Sequence, residues 1–398
     1  MRIVITGATG LIGRNLLFEF VKREFNDPQD LNIIVLGRPL GGMPIRKRVH
    51  RILLEDGLEY IDPGRTGLAK LKDICGTGVK ALSIDIGKDG LGLSDEDYRE
   101  LKKAPIDIFF HLAASTDLRP TPAVEKTLLN ENIEGTRRIL ELVSTLDVRE
   151  FCYTGTAYSC GFAEGKIAPD YVNSSGRFRN PYEKSKLAGE LQVRDFAKKT
   201  KVRCRYFRPS VTCGRLLEAP TGAINKFDVF YGWASFFYQI KKKRSPGSKD
   251  LFSDPIDMDM RIRYNPASGL NIVPADFAAK VMYEVCRQDD PGESYYLVND
   301  EAVPHDLYIS IMLKTLNVSG VRQTDTIPSD MNECEKLYYK TVGKVFTPYI
   351  TPEPILFDVS NLKSVLKNAG LSCPSVDNER FTLLMEYAKK KEFGFGGQ

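Results

Sequence analysis

The chain begins with a short apolar segment that leads directly into a glycine-rich turn. Residues 2–6 read RIVIT and residues 6–13 read TGATGLIG, with Gly7, Gly10 and Gly13 three positions apart. Glycine permits a tight turn and a close approach of a pyrophosphate to the backbone, and the following helix offers free N–H groups to the anion. A turn of this kind after the first strand predicts a dinucleotide-binding domain; a glycine-rich turn without a ligand is the alternative.

The first half of the chain alternates short apolar segments with helical patterns. Strands are predicted at 2–6, 32–37, 79–86, 107–113, 150–156 and 203–209, and helical patterns lie between them, as at 11–25 and 132–146. This alternation is typical of a parallel sheet with helices on both faces. The predicted fold class is therefore α/β, with a doubly wound parallel (Rossmann) sheet.

The pattern changes after about residue 210, where Pro and Gly recur and aromatic residues cluster. We predict a Rossmann domain over residues 1–212 and mainly a smaller C-terminal substrate-binding lobe over 213–398. The segment of about 270–300, which contains LNIVPADF and SYYLVND, is expected to return to the main sheet.

Composition excludes several classes of protein. The net charge of +4 is small beside 56 Lys plus Arg and 52 Asp plus Glu, so nucleic-acid binding is not indicated. Eight scattered cysteines and three histidines, without metal-ligand spacing, predict no metal site. The sequence has no apolar run of 18 residues that could cross a membrane, and, because the chain starts with a predicted strand, we expect no signal peptide. We expect a cytoplasmic protein with reduced cysteines.

The second predicted strand ends in VLGRP, residues 35–39, which places Arg38 where the adenosine ribose should lie. A cofactor with a free 2′-hydroxyl normally meets Asp or Glu at this place, whereas an arginine suits a 2′-phosphate. Arg14, just after the glycines, adds a second cation. We therefore predict NADP(H), with NAD(H) less favoured, although solvation of a surface arginine would explain Arg38 equally well.

A tyrosine and a lysine stand four residues apart in NPYEKSKLAGE, residues 180–190. On a helix this spacing puts Tyr182 and Lys186 on one face, one turn apart. A cation near a phenol favours the phenolate, so the pair could be a proton donor with a lowered pKa. The spacing also occurs by accident in a chain with 18 Tyr and 56 Lys plus Arg.

Seven motifs in sequence order resemble the extended short-chain dehydrogenase/reductase family. They are TGATGLIG, SIDI (83–86), HLAA (111–114), NIEGT (132–136), YTGTAY (153–158), YEKSK (182–186) and FRPSVTCGR (207–215). The series covers about the first 215 residues, and NIVPADFAA at 271–279 resembles the family's later return strand.

The resemblance implies a catalytic triad of Thr156, Tyr182 and Lys186. Tyr182 would give or take the proton at the substrate oxygen, and Lys186 would hold the ribose hydroxyls and lower the tyrosine's pKa. Thr156, with Thr154 as the alternative, would hydrogen-bond the reacting oxygen. The family usually has serine at this position.

The resemblance also implies a set of cofactor contacts. Asp85 and Ile86 would bracket the adenine, Ala113 and Ala114 would line the nicotinamide side, and Asn132 would support the pocket. The full predicted set is Gly7, Thr9, Gly10, Leu11, Ile12, Gly13, Arg14, Arg38, Asp85, Ile86, Leu112, Ala113, Ala114, Asn132, Tyr182, Lys186, Pro209 and Val211. Asp85 could instead cap a strand end, and the two alanines could serve packing alone.

The segment NKFDVFYGWASFFYQIKKKR, residues 225–244, carries apolar side chains at helical spacing on more than one face. Such a helix could be buried core, line an acyl-chain channel, or contact a membrane or partner. The cations Lys241–Arg244 suit a helix carboxyl terminus, but could also receive the phosphates of coenzyme A, an acidic carrier protein or anionic lipid.

This second half is similar, more diffusely, to the fatty acyl-CoA and thioester reductase branch of the family. The resemblance implies an NADPH-dependent reductase of a carbonyl or acyl thioester, on coenzyme A or a carrier protein, and allows a homodimer. One alternative is a nucleotide-sugar epimerase with retained NAD, although Cys160 departs from the tyrosine of many sugar-modifying members. The other is a non-catalytic NADP-binding sensor, which would typically lack the tyrosine or lysine.

Overall fold

The computed structural model of the protein describes residues 1–27 and 31–396. The strands, in chain order, are β1 Arg2–Thr6, β2 Asn32–Gly37, β3 Val79–Ser83, β4 Ile106–His111, β5 Val148–Thr154, β6 Lys166–Ile167, β7 Arg203–Pro209, β8 Val211–Cys213, β9 Ile256–Arg263, β10 Gly269–Leu270, β11 Ile272–Pro274, β12 Ser294–Leu297, β13 Val303–Pro304, β14 Val318–Thr324 and β15 Leu356–Phe357.

The helices surround these strands. They are α1 Leu11–Arg23, α2 Ile45–Arg51, α3 Leu58–Ile61, α4 Leu68–Thr77, α5 Asp95–Lys102, α6 Pro122–Leu128, α7 Gly135–Ser144, α8 Pro181–Lys199, α9 Phe230–Arg244, α10 Ala275–Arg287, α11 His305–Thr315, α12 Glu333–Lys340, α13 Val342–Ile350, α14 Lys363–Ala369 and α15 Asn378–Lys390. A π-helical stretch, Leu129–Glu134, joins α6 to α7.

Seven strands form one parallel sheet in the order β12–β7–β5–β4–β1–β2–β3. Every residue of β1 is buried, as expected for a strand covered on both faces. One apolar core lies between the sheet and α1, α4 and α10, and a second lies on the other face beneath α5 and α7. The predicted doubly wound α/β class is confirmed.

The strand order reverses between β1 and β4, which are neighbours in the sheet. In open α/β sheets the ligand crevice lies at such a reversal, outside the carboxyl ends of the strands. Three predicted strands end two or three residues earlier than expected, at Ser83, His111 and Thr154. The motif residues that follow them therefore lie in loops at this crevice edge.

The chain after residue 210 builds a third large core and also contributes to the main sheet. Helices α9, α11, α12, α13 and α15 and strand β9 supply most of this third core. Strand β12 pairs with β7 at the sheet edge, and α10 packs on α1 against the first core. Helix α9 begins at Phe230, five residues into the quoted aromatic segment.

Of the helices in the described part of the chain, none combines the length and apolarity needed to cross a bilayer.

Candidate active site

The turn between β1 and α1 requires glycine at two positions. Gly7 has a φ of +75°, and a Cβ there would lie 2.6 Å from the Ala113 nitrogen. A Cβ on Gly13 would lie 2.2 Å from the Gly7 carbonyl oxygen. Since these neighbours are backbone atoms, neither position accepts a side chain without moving the turn.

The same turn fits a dinucleotide pyrophosphate. The Gly10 N–H donates to the Gly7 carbonyl at 2.9 Å, and α1 starts at the next residue without a side-chain cap. The first turn of α1 carries no acidic residue, so its positive dipole end is not neutralised. Backbone N–H groups therefore face the crevice beside β4, where an anion can bind them.

A continuous cavity of about 1080 Å³ extends from this turn to the C-terminal half. We call its first region the cofactor end, lined by Gly7, Gly10, Leu11, Ile12, Gly13, Arg38, Leu112 and Ala114. The junction is lined by Thr154, Thr156, Tyr182, Lys186, Pro209 and Val211. The substrate end is lined by Phe227, Phe230, Gly232, Trp233, Leu270, Tyr308 and residues 340–342, 344–346, 349 and 350.

Helix α8 carries Tyr182 and Lys186 into the junction. Its start is fixed by Asn180, whose side chain accepts the Glu183 N–H at 3.0 Å, and by Pro181 in the first turn. Lys186 is buried, and its Nζ lies 4.5 Å from the centre of the Tyr153 ring. Both predicted side chains therefore reach one enclosed space, one helical turn apart.

Thr156 meets Tyr182 from the loop after β5. The Thr156 side chain lies near the Tyr182 hydroxyl and acts to lower its pKa, and Thr156 accepts the Tyr158 N–H at 3.3 Å. Thr154, the alternative, is buried in the same wall, and its hydroxyl has no partner among the described residues. Its contact with Tyr182 makes Thr156 the better placed of the two threonines.

Burial controls the protonation of the pair. It lowers the pKa of Lys186 to about 7, against the opposing effect of the Glu190 carboxylate. It also raises the pKa of Tyr182, with Asp228 and Glu183 adding to the rise and the Thr156 side chain opposing it. The expected lowering of the tyrosine's pKa by Lys186 is absent, because desolvation of the phenolate outweighs any attraction.

Arg38 lies at the edge of the cofactor end with two further arginines. Its side chain is 57% exposed and pairs with Glu131 at 3.3 Å. Arg48 donates to the Arg38 carbonyl at 2.6 Å, and burial together with Arg38 and Arg51 lowers the pKa of Arg48. Three guanidinium groups thus gather after β2, where a 2′-phosphate would be recognised.

Arg14 does not line this cavity. It lies at a separate small cavity of about 170 Å³, where it pairs with Asp56 and donates to the Thr9 carbonyl at 2.9 Å. Burial lowers its pKa to about 10. Thr9 is also outside the main lining, so the structure does not bring these two predicted contacts to the cofactor end.

Four other predicted contacts are not among the residues that line the cavity, namely Asp85, Ile86, Ala113 and Asn132. Asp85 accepts the Gly87 N–H at 3.0 Å in the turn that follows β3, a local role close to the strand-end cap considered as its alternative. Ile86 packs on Gly135. The Ala113 N–H lies close to Gly7 and donates to the Thr6 hydroxyl at 3.2 Å.

Asn132, the fourth, supports the wall from the π-helical stretch. It holds the Ser115 backbone by two hydrogen bonds of 2.7 and 2.9 Å and donates to the Ser185 hydroxyl at 2.9 Å. Ser115 lines the cavity and Ser185 lies on α8, so Asn132 connects the loop after β4 to the helix that carries Tyr182.

The aromatic segment is divided between core and cavity. Phe230 and Trp233 line the substrate end and also pack into the third core, where Tyr231 and Phe237 lie as well. The cations at its end lie elsewhere: Lys241 donates to the Leu316 carbonyl at 2.6 Å and Arg244 to the Cys334 sulfur at 2.7 Å. None of Lys241–Arg244 lines the cavity.

Sequence reasoning missed the contribution of α12 and α13 to the cavity. Tyr349, on α13, donates to a Glu183 carboxylate oxygen at 2.7 Å and accepts from Asn180 at 2.6 Å. Arg179 donates to the Pro348 carbonyl at 3.2 Å and also pairs with Glu183. These contacts bind α13 to the start of α8, and no local motif near residue 345 signals them.

The eight cysteines are all free thiols. The Cys152 and Cys286 sulfurs lie 3.7 Å apart, and both thiols donate to the Glu150 carboxylate. Among the described residues, these three form the one group whose side chains could together hold a metal ion. Arg205 pairs with the same carboxylate at 2.6 Å. A buried guanidinium at this distance opposes a metal cation, which leaves these thiols as core side chains.

Parts of several larger proteins are similar in sequence to this chain. A linear gramicidin synthase protein of Brevibacillus parabrevis is 22% identical over 96% of this chain, which spans 7% of that protein. Carboxylic acid reductase of Mycobacterium marinum is 28% identical over 48% of this chain, and the match spans 16% of that protein. The chain thus corresponds to a small part of each of these relatives.

Solved structures share the fold along nearly the whole chain. The terminal R domain of the myxalamid PKS-NRPS pathway matches with a TM-score of 0.71 and 21% identity, covering 100% of this chain and 92% of that one. A UDP-galactose 4-epimerase matches with a TM-score of 0.58 and 15% identity, covering 98% and 99%. At these identities the likeness concerns the fold, which is that of an extended short-chain dehydrogenase/reductase.

A family model described as "Male sterility protein" matches residues 5–282. The match begins in β1 and ends in α10, so it includes the glycine turn, the junction and the strands between them. It covers more than half of the chain. The chain therefore belongs to the Male sterility protein family of NAD-binding domains.

Proposed function

We propose that this protein is an NADPH-dependent reductase of an acyl thioester or another carbonyl on an apolar substrate. One observation carries the proposal: a continuous cavity joins a dinucleotide-type glycine turn, the Thr156–Tyr182–Lys186 group and the aromatic side chains of the substrate end. A substrate in the substrate end would place its carbonyl at the junction while the cofactor end holds the dinucleotide.

The three junction residues have separate roles in this proposal. A bound nicotinamide would supply the hydride. Tyr182 would transfer its phenolic proton to the substrate oxygen, and Thr156, which lines the same part of the cavity, would hold the oxygen in place. Lys186 would bind the ribose hydroxyls from the same helix face. Cysteine nucleophiles have no part, since no cysteine in the described part of the chain lines the cavity.

The chemistry of the cavity wall supports an apolar substrate. Phe230, Trp233, Tyr308 and Phe346 converge on the substrate end from three helices, and all are buried. Such a chamber accepts an acyl chain or aromatic group and offers few partners for the hydroxyls of a sugar.

The proposed cofactor preference rests on the arginines after β2. Arg38 lines the cofactor end, and Arg48 and Arg51 add positive charge beside it. A dianionic 2′-phosphate is stabilised by such a group, whereas NAD offers only hydroxyls there. NADPH is therefore the proposed reductant.

The test is cofactor consumption, followed by NADPH absorbance, with long-chain acyl-CoAs, aldehydes, 3-oxoacyl thioesters and UDP-sugars, and with NADH alongside. Stoichiometric loss of NADPH with an acyl or carbonyl compound is expected. Conversion of a sugar nucleotide with retained NAD and no net consumption would replace the proposal with an epimerase, which shares the fold. Tight NADP(H) binding without turnover of any compound would favour a sensor.

A further inference from the structure

The mouth of the cavity carries two exposed lysines, Lys340 and Lys344. Neither pairs with a carboxylate within residues 1–27 and 31–396. Three other exposed cations of the lining each have a carboxylate partner: the pairs are Arg38–Glu131, Arg119–Asp117 and Lys226–Asp228. Unpaired cations on a cavity wall are available to an anionic part of a ligand.

The two lysines stand on either side of the turn between α12 and α13. Lys340 ends α12, Lys344 lies in the first turn of α13, and Thr341 and Val342 between them also line the cavity. Helix α13 has no side-chain cap at its start, so its positive dipole end adds to the two charges. The negative end of the α12 dipole lies at the same turn and opposes that of α13, so the two lysines supply the net positive charge here.

This part of the wall is held in a fixed position relative to the catalytic helix. The Tyr349 hydroxyl donates to Glu183, the residue after Tyr182, and the Tyr158 and Tyr349 rings meet edge to face at 5.3 Å. A ligand bound by both regions would therefore find the anion site and the proton donor at a set spacing, with little ordering cost in the protein.

Apolar side chains of α13 line the cavity beside the lysines. They are Val342, Val345 and Phe346. A ligand that fits has an anion at one end, a largely neutral chain in the middle and its reactive group at Tyr182. A phosphopantetheine thioester has this order of groups, both in coenzyme A and on a carrier protein.

We propose that Lys340 and Lys344 bind the phosphate of a phosphopantetheine-type thioester whose acyl end reaches Tyr182. The inference rests on the proposed function and adds to it the residues that would bind the phosphate of the substrate. The proposed phosphate site is therefore Lys340 and Lys344 and not the basic run Lys241–Arg244, which lies outside the cavity.

The first test compares two double variants of equal charge change. Lys340→Ala/Lys344→Ala alters the proposed site, and Lys242→Ala/Lys243→Ala alters two exposed lysines of the basic run. The measured quantity is kcat/KM for an acyl-CoA divided by kcat/KM for the same acyl group on N-acetylcysteamine, which lacks a phosphate. We expect this ratio to fall about tenfold in the first variant and to stay constant in the second.

An unchanged ratio in Lys340→Ala/Lys344→Ala, or an equal fall in both variants, would overturn the inference. The same ratio measured with an acyl-loaded carrier protein in place of acyl-CoA distinguishes the two sources of the phosphopantetheine. A larger fall with the carrier identifies a carrier-bound substrate, and a larger fall with acyl-CoA identifies the free thioester; either supports the phosphate site.

A binding measurement decides the inference even if no thioester is reduced. Calorimetric titration with phosphopantetheine and with pantetheine isolates the effect of the phosphate. The wild-type protein should bind the phosphorylated compound more tightly, and the difference should vanish in Lys340→Ala/Lys344→Ala. Absence of turnover would refute the proposed function, whereas equal binding of the two compounds by the wild type would refute the lysine site.

Discussion

The cofactor end and the substrate end of the cavity are built in different ways. At the cofactor end the functional groups are mainly backbone N–H groups, arranged by glycines within one turn of eight residues, 6–13. At the substrate end they are aromatic and basic side chains from α9, α11 and the α12–α13 turn, which are separated by up to about a hundred residues in the chain. One end depends on local conformation and the other on tertiary packing.

This difference predicts that a substitution at one end of the cavity impairs binding or stability at that end and leaves the other end unchanged. A backbone site should be sensitive to an added methyl group and insensitive to distant side-chain changes. A side-chain site should tolerate small local changes but lose stability when a large aromatic residue is removed. The junction, where Tyr182 lies, should affect turnover without affecting either end.

The largest expected effect is at the junction. Tyr182→Phe removes the proton that the substrate oxygen receives and should lower kcat by roughly 10³-fold, within the range of general acid catalysis. The affinity for NADPH, measured by fluorescence titration, should stay the same, because the cofactor end is intact. Turnover at the wild-type rate would show that Tyr182 is not the proton donor.

Removal of the largest aromatic side chain should break the substrate end alone. Trp233 stacks on Phe346 with ring centres 5.9 Å apart and on Tyr338 at 6.0 Å, and it is fully buried. Trp233→Ala should lower the free energy of unfolding by about 3–5 kcal/mol in urea titrations. Unchanged affinity for NADPH in the folded variant would confirm that the two ends are independent, and a comparable loss of affinity would contradict it.

A matched pair of glycine substitutions tests the cofactor end. In Gly13→Ala the new Cβ would lie 2.2 Å from the Gly7 carbonyl oxygen, whereas in Gly232→Ala, at the substrate end, it would lie 3.6 Å from the nearest atom. Displacement of the turn should cost about 1–3 kcal/mol, which is about tenfold to hundredfold in affinity for NADPH. Gly232→Ala should keep the wild-type affinity for NADPH. Equal losses of affinity in the two variants would contradict the claim that the cofactor end depends on its own backbone turn.

The smallest expected effect concerns the 2′-phosphate. Arg38→Ala should weaken NADPH binding by about tenfold and leave NADH binding unchanged, because an exposed guanidinium contributes modestly to a phosphate contact. Arg119→Ala, which removes another exposed cation of the cavity lining, is the control. Equal losses of NADPH and NADH affinity would assign Arg38 a structural role.

The sequence motifs led to more of the residues that line the cofactor end than of those that line the substrate end. Gly7, Gly10, Gly13 and Arg38 line the cavity, and their contacts with a cofactor stay predictions, whereas Arg14 turns to Asp56. Only the fold shows this, because Asp56 follows Arg14 by 42 residues.

The environment of Tyr182 and Lys186 could not be predicted from the sequence either. Spacing placed Tyr182 and Lys186 together, but their pKa values depend on burial by the surrounding elements. The expected lowering of the tyrosine's pKa failed for this reason. The triad roles and the domain boundary at residue 212 stay predictions.

By itself the sequence determined the parallel sheet, the glycine turn and the positions of Thr156, Tyr182 and Lys186, because short-range periodicity and backbone requirements are written in consecutive residues. The tertiary structure decided which wall closes the cavity and which cations reach it. Lys340 and Lys344 line the mouth, and Lys241–Arg244 do not. Side-chain neighbours from distant segments are set by how helices pack, which no local pattern specifies.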